Sequence, residues 1–247
     1  MPLINTLNIL RGLDLGTVSP TFTPEANIVK YTNLNEKKAL YDQYVIPPEK
    51  WTGDGMIPES DLKNLVEIGY KNLYLKTEAA DSLIKMWEKL KEDCDKVDVK
   101  PKISSTYRSY QKQYDFLDIE LFIKKGGKPF NKPKTPASKY KKGSNGRTAV
   151  AWPGESPHGK GIAMDIGSIG AKNSMYVRSW MKVYGLNYDW SWYNGKAADE
   201  NWHFVYIGNS TDKNKREKFD GRINRETRKY YYDTEFSAEK FIKEFKK

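Results

Sequence analysis

At 247 residues and 28.6 kDa, with 38% hydrophobic and 30% charged residues, the chain can hold one good-sized domain with appendages, or two small ones. Seven Trp, 17 Tyr and nine Phe exclude a wholly disordered chain, and Cys94, the single cysteine, excludes an internal disulfide or a cysteine-based zinc cluster. The formal net charge of +10 and pI near 9.3 favour a polyanionic partner, whether nucleic acid, an anionic membrane or an anionic wall polymer.

The opening, MPLINTLNILRGLDLG, has a short apolar patch but no basic n-region and no A-x-A-like site, so it reads as structure rather than an export signal. No stretch approaches the roughly 20 apolar residues of a membrane span. Residues 1–50 lack periodicity and are punctuated by Pro2, Pro20, Pro24, Pro47 and Pro48, which predicts a loop-rich arm with one short helix near 36–44. From Met56 the pattern becomes regular. Thr77 is placed to cap a helix running to about Asp95, with Ala80, Leu83, Ile84, Trp87 and Leu90 as its apolar stripe and Cys94 in the core. Residues 102–107 read as a short strand. A helix follows over 109–124, with Tyr114, Leu117 and Leu121 inward and Gly126-Gly127 as its stop.

Between Lys124 and Arg147 stand nine basic residues and no acidic one, among Gly, Pro and Ser. The segment reads either as a solvated loop or as a basic flap over a cleft. Residues 161–167 and 202–208 read as strands. Between them Ser174 is a candidate cap for a helix with Val177, Trp180, Met181 and Tyr184 inside and Gly185 at its end. The tail is polar and basic, closing in an amphipathic helix around 238–245. Short, uneven helices and strands predict an α+β fold rather than a doubly wound sheet.

The chain has two histidines, each near a carboxylate: His158-x6-Asp165 and Glu200-x-x-His203. A catalytic zinc takes three protein ligands and keeps one position open. Two imidazoles and one carboxylate meet that need and leave a second carboxylate as a base. There is no HExxH, which excludes the helical arrangement of that motif. Each histidine alone is better explained as a hydrogen-bonded core residue than as a ligand. The local sequence suits a site: Pro157 and two glycines lead from His158 at a turn into a strand carrying Asp165, with Gly161 and Ala163 keeping the metal's surroundings free of bulk. Alternation places Trp202, Phe204 and Tyr206 on a core face, and His203 and Val205 on the other.

Taken jointly, these residues resemble the VanY-like D-alanyl-D-alanine carboxypeptidase family of zinc metallopeptidases. Ser156, His158, Gly161, Ala163 and Asp165 fit S-x-H-x-x-G-x-A-x-D, and Glu200, Trp202 and His203 fit E-x-W-H. Upstream, Ser105, Tyr107, Arg108, Ser109 and Gln113 fit S-x-Y-R-S-x-x-x-Q. The resemblance spans residues 56–209, leaving a 1–55 arm and a 210–247 basic tail, and the basic 124–147 insertion departs from it. It implies a small antiparallel sheet flanked by helices, in the manner of hedgehog and DD-peptidase domains. It also implies one Zn2+ held by His158, Asp165 and His203, with Glu200 as general base. Arg108 would bind substrate or stabilise the oxyanion, and Ser156 and Gln113 would touch substrate or support the site.

The function expected is hydrolysis of stem peptides in bacterial peptidoglycan, as an endopeptidase or a D,D-carboxypeptidase. The wording TAVAWPGESPHGKGIAMDIG resembles phage lysins of the family, so the expected setting is a released lysin or a virion-associated wall peptidase, with residues 1–55 available to other virion proteins. The alternative is a non-catalytic zinc-binding or wall-binding module of a virus particle. Nucleic acid is not the expected partner, because no recognisable motif accompanies the basic charge.

Overall fold

In the computed structural model the described residues are 45–117, 151–198, 200–218, 222–223, 230–231 and 237–247. The expected helix near 36–44, the 118–124 half of the helix expected after Ser109, and the basic 124–147 segment lie outside them. A hairpin of Leu62–Asn64 (β1) and Tyr74–Lys76 (β2) leads into the longest helix, Thr77–Asp95 (α1). Ala79, Ala80, Leu83, Met86, Trp87, Leu90 and Cys94 recur every three or four residues and are buried along one face. Lys76 rather than Thr77 is the capping residue: its N–H donates to the Gly161 carbonyl at 2.8 Å, which holds it extended up to the first helical residue. Cys94 is fully buried, and burial pushes its thiol up to about 12.

Lys102–Ser105 (β3) ends two residues earlier than expected, because Thr106 and Tyr107 turn their backbones to other partners. Tyr110–Asp115 (α2) is capped by Ser109, whose hydroxyl accepts from Lys112 N at 3.2 Å. Ala163–Gly167 (β4) is followed by Ala171–Tyr184 (α3), then Trp190–Ser191 (β5), Tyr193–Ala198 (α4) and His203–Tyr206 (β6). The cap of α3 is Gly170 at φ +81, so the helix starts four residues before the point that a Ser174 cap implies. Ser174 instead lies within the helix, its hydroxyl accepting from Ser168 N (3.0 Å) and donating to Ser168 O (2.7 Å). Tyr184, expected inside, is 37% exposed. The α-helix ends at Tyr184 with Gly185 as its C-cap, as expected, and the chain runs on through a 3-10 turn to Asp189 in the left-handed region.

The main sheet is antiparallel throughout, in the order β3-β4-β6-β5. Ile103, Met164, Ile166 and Phe204 face a core completed by α1 and α3. Arg222–Ile223 (β7) pairs with Tyr230–Tyr231 (β8), and Ala238–Phe245 (α5) packs on α3 through Ala238, Ile242 and a Tyr176–Phe245 ring pair 4.7 Å apart. The α+β architecture is therefore as expected, with the final helix adding to its core.

Asp93 links α5 to this core. Its carboxylate accepts from the Trp180 indole (3.0 Å), Lys96 (3.0 Å) and Lys89 (3.3 Å), with the Lys246 ammonium 3.8 Å away. Burial pushes its pKa up, but these donors outweigh burial and hold it at about 2 rather than the ordinary 3.8. A folded value below the unfolded one stabilises fully above about pH 4 and is lost as pH falls through 2, an effect of about 2 kcal/mol. Replacing Asp93 by Asn is expected to cost about 1–3 kcal/mol at neutral pH and to flatten the acid limb of the stability curve. Urea melts between pH 2 and 7 check both, and an unchanged acid limb would exclude this account.

Candidate active site

Strand register brings the polar residues together. Ser105 on β3 pairs with Asp165 on β4, and Asp165 pairs with His203 on β6, so all three stand in one row. Because side chains alternate, Ala163, Asp165 and Gly167 share the face opposite the core-facing Met164 and Ile166. His158 comes from a 3-10 turn, Pro157–Lys160, just before β4. Ser156 caps that turn, its hydroxyl accepting from His158 N at 3.3 Å. Gly161 closes it at φ +66, a conformation for which glycine is suited. A Cβ there would lie 2.9 Å from Ile57 and 3.1 Å from the Lys76 side chain, so Gly161 serves the turn and its packing rather than space at the ligands.

The outcome is a cluster of His158, Asp165 and His203 whose candidate ligand atoms lie within 4.8 Å of one another. Asp165 Oδ1 is 3.3 Å from His158 Nε2 and 3.0 Å from His203 Nδ1. Four ligands at 2.0–2.1 Å around a tetrahedral ion stand about 3.3–3.4 Å apart, so this donor set and spacing fit zinc. His158 Nδ1 lies 2.6 Å from the Thr106 carbonyl. That carbonyl can only accept, so the proton sits on Nδ1 and the lone pair of Nε2 faces Asp165. Burial pushes the His158 pKa down despite Asp165, which keeps the ring neutral and able to ligate. Burial opposes ionisation of Asp165, yet the two imidazoles beside it, His203 by a 3.0 Å hydrogen bond, hold it far below the usual carboxylate range.

Arg108 stands beside this cluster. One guanidinium nitrogen donates to Gln113 Oε1 at 2.7 Å and another to Ser105 Oγ at 3.1 Å, with the Phe116 ring 5.0 Å away. Burial weakens its hold on its proton, while Asp165 and Glu200 strengthen it. Gln113 is buried, and its amide nitrogen donates to the Ala151 carbonyl at 2.5 Å. Gln113 and Ser156 thus hold Arg108 and His158 in place.

Glu200 lies between α4 and β6, with Oε2 4.0 Å from His203 Nδ1. Burial raises its proton affinity, and Asp165 adds to this, against the opposing charges of His203 and Arg108. Its N–H donates to Gly195 O at 2.7 Å, and its carbonyl accepts from Trp192 Nε1 at 2.8 Å and from His203 N at 3.3 Å. The expected aromatic face of β6 is met by Phe204 and Tyr206 but not by Trp202, which is 37% exposed at the strand's start with the Arg178 guanidinium 5.8 Å from its ring.

A profile of the VanY family, D-alanyl-D-alanine carboxypeptidase, matches residues 72–209, more than half of the chain. The chain belongs to that family. "Putative carboxypeptidase YodJ" of Bacillus subtilis (strain 168) is 26% identical over 208 residues, covering 83% of this chain and 66% of its own length, just under two thirds. Among solved structures the chain is similar to VanYB in complex with D-alanine-D-alanine, at 20% identity and TM-score 0.43 over 67% of this chain and 83% of that one. It is also similar to the LdcB LD-carboxypeptidase, at 22% identity and TM-score 0.45 over 76% and 80%.

Parts of this VanY-family site lie outside the motifs. The Thr106 carbonyl, Trp192 and Gly195 were not legible as site residues, since backbone acceptors and a Trp eight residues before Glu200 leave no periodic signal. Gly55, assigned from sequence to the arm, braces the site's loops. Its N–H donates to Gly159 O (2.8 Å), and its carbonyl accepts from Tyr110 N (3.0 Å) and the Tyr107 hydroxyl (2.8 Å).

Proposed function

We propose that this VanY-family member is a zinc-dependent peptidase of bacterial cell wall, removing or cutting at D-alanine in peptidoglycan stem peptides. The observation that carries the reading is the convergence of His158, Asp165 and His203 from a turn and two strands, with Glu200 and Arg108 alongside. The three clustered side chains would hold one zinc ion. Zinc, when bound, supplies Lewis acidity, polarising a carbonyl and lowering the pKa of water from about 15.7 to about 7. Glu200 takes the proton of the attacking water and delivers it to the leaving amine nitrogen as the C–N bond breaks. Arg108 presents a planar cation suited to a substrate carboxylate or a developing oxyanion.

A buried guanidinium fits a free terminal carboxylate, which favours carboxypeptidase over endopeptidase action. The net charge of +10 suits an anionic wall. With the lysin-like wording of residues 148–167, it supports a setting as a released phage lysin or virion-associated wall peptidase. Incubating the zinc-loaded protein with defined muropeptides and reading products by mass spectrometry tests the activity. Loss of terminal D-alanine is expected, and blocking the terminal carboxylate as an amide should suppress it. Equal cleavage of the amide would favour an endopeptidase, and no cleavage of any fragment counts against both.

A further inference from the structure

Glu200 sits outside any helix or strand, so no ladder fixes it. Its backbone is instead gripped from both sides by residues that the family motifs leave out: Gly195 O takes its N–H at 2.7 Å, and Trp192 Nε1 donates to its carbonyl at 2.8 Å. Trp192 is 4% exposed, and the ammonium of the buried Lys182 on α3 stands 3.9 Å from its ring centroid. A cation over an indole draws on the ring's electron density and makes its N–H a stronger donor. Gly195, on α4, has no space for a side chain. A Cβ there would come within 2.4 Å of both His203 O and the Trp192 ring.

We propose that Trp192 is a positioning residue for Glu200, its indole N–H fixing the Glu200 carbonyl and thereby where the carboxylate stands beside His203. The proposal rests on the reading of Glu200 as the base. A group that must meet a proton in flight tolerates little displacement, and a misplacement of about 1 Å can cost on the order of 100-fold in rate. Lys182 and Gly195 complete the bracket, one by packing on the ring and the other by leaving space for it.

The test is Trp192→Phe, which keeps an aromatic ring and removes the donor, made in the native chain and in Glu200→Gln. In the native background kcat is expected to fall by roughly 10- to 100-fold, with KM and bound zinc unchanged. In the Glu200→Gln background no further fall is expected, because the group that Trp192 positions is already disabled. Equal losses in both backgrounds, or none in the native one, overturn the proposal. Hydrogen exchange of the unsubstituted protein gives a readout independent of activity: the Trp192 indole N–H should be protected, and exchange at the free rate would also overturn it. In Trp192→Phe the Glu200 and His203 amides should exchange faster while those of β4 do not. If Glu200→Gln alone leaves kcat intact, the reading of Glu200 as base fails, and the exchange results still decide whether the bracket exists.

Discussion

Replacing Glu200 by Gln is expected to lower kcat by roughly 10²- to 10⁴-fold while one zinc stays bound per chain. Gln keeps the size of the side chain and the backbone bonds to Gly195, Trp192 and His203, so only proton transfer is removed. The loss corresponds to about 3–5 kcal/mol of barrier. Glu200 is outside the cluster whose donor atoms lie within 4.8 Å of one another, which is why metal binding should survive. Burial and the nearby Asp165 make the carboxylate a stronger base than an exposed one, with His203 and Arg108 acting in the opposite direction. Steady-state kinetics on a defined muropeptide, with zinc measured on the same sample, give the answer. Undiminished kcat would remove Glu200 from the chemistry, and loss of zinc together with activity would make it a ligand.

How far such a site can be read from sequence depends on which part of it is local. The alternation along residues 202–206 is local and places His203 on one strand face, and the Pro-Gly turn after Ser156 is local and leads into a strand carrying Asp165. Their meeting depends on register, which the single-chain pattern does not contain. Ser105↔Asp165↔His203 became one row only through the antiparallel order β3-β4-β6. The same limit explains the misplaced helix start at Ser174. A serine before an apolar run has the form of a cap, but here its hydroxyl is committed to Ser168 across a tight loop, and Gly170 supplies the backbone turn. Trp202 misled for a related reason. It belongs to the strand's alternation, yet it precedes the first paired residue and lies where the core no longer reaches. The stretch around Gly55 carries no periodicity at all, and its service to the site runs through backbone bonds to Gly159 and Tyr110 that no side-chain pattern encodes.

Removing the metal, or one of its three proposed ligands, should have the largest effect of all. Chelation is expected to abolish hydrolysis without unfolding the chain, because Asp165 keeps its 3.0 Å hydrogen bond with His203 and the core face of the sheet is apolar on its own account. Stability should nonetheless fall: a ligand present at 1,000 times its Kd stabilises the folded state by about 4 kcal/mol. For a domain of this size that is a drop in Tm of roughly 8–16 °C. Adding zinc back should restore both activity and Tm. His203→Ala goes further, since it removes one donor and strips Asp165, a largely buried carboxylate, of its 3.0 Å partner. That variant should retain no zinc through dialysis, show no detectable hydrolysis, and melt no higher than the chelated native protein. Asp165→Asn separates the two contributions, keeping the shape while removing the negative charge that draws the cation in. Full activity in chelated protein, or zinc affinity unaltered in His203→Ala, would be incompatible with catalysis at this cluster.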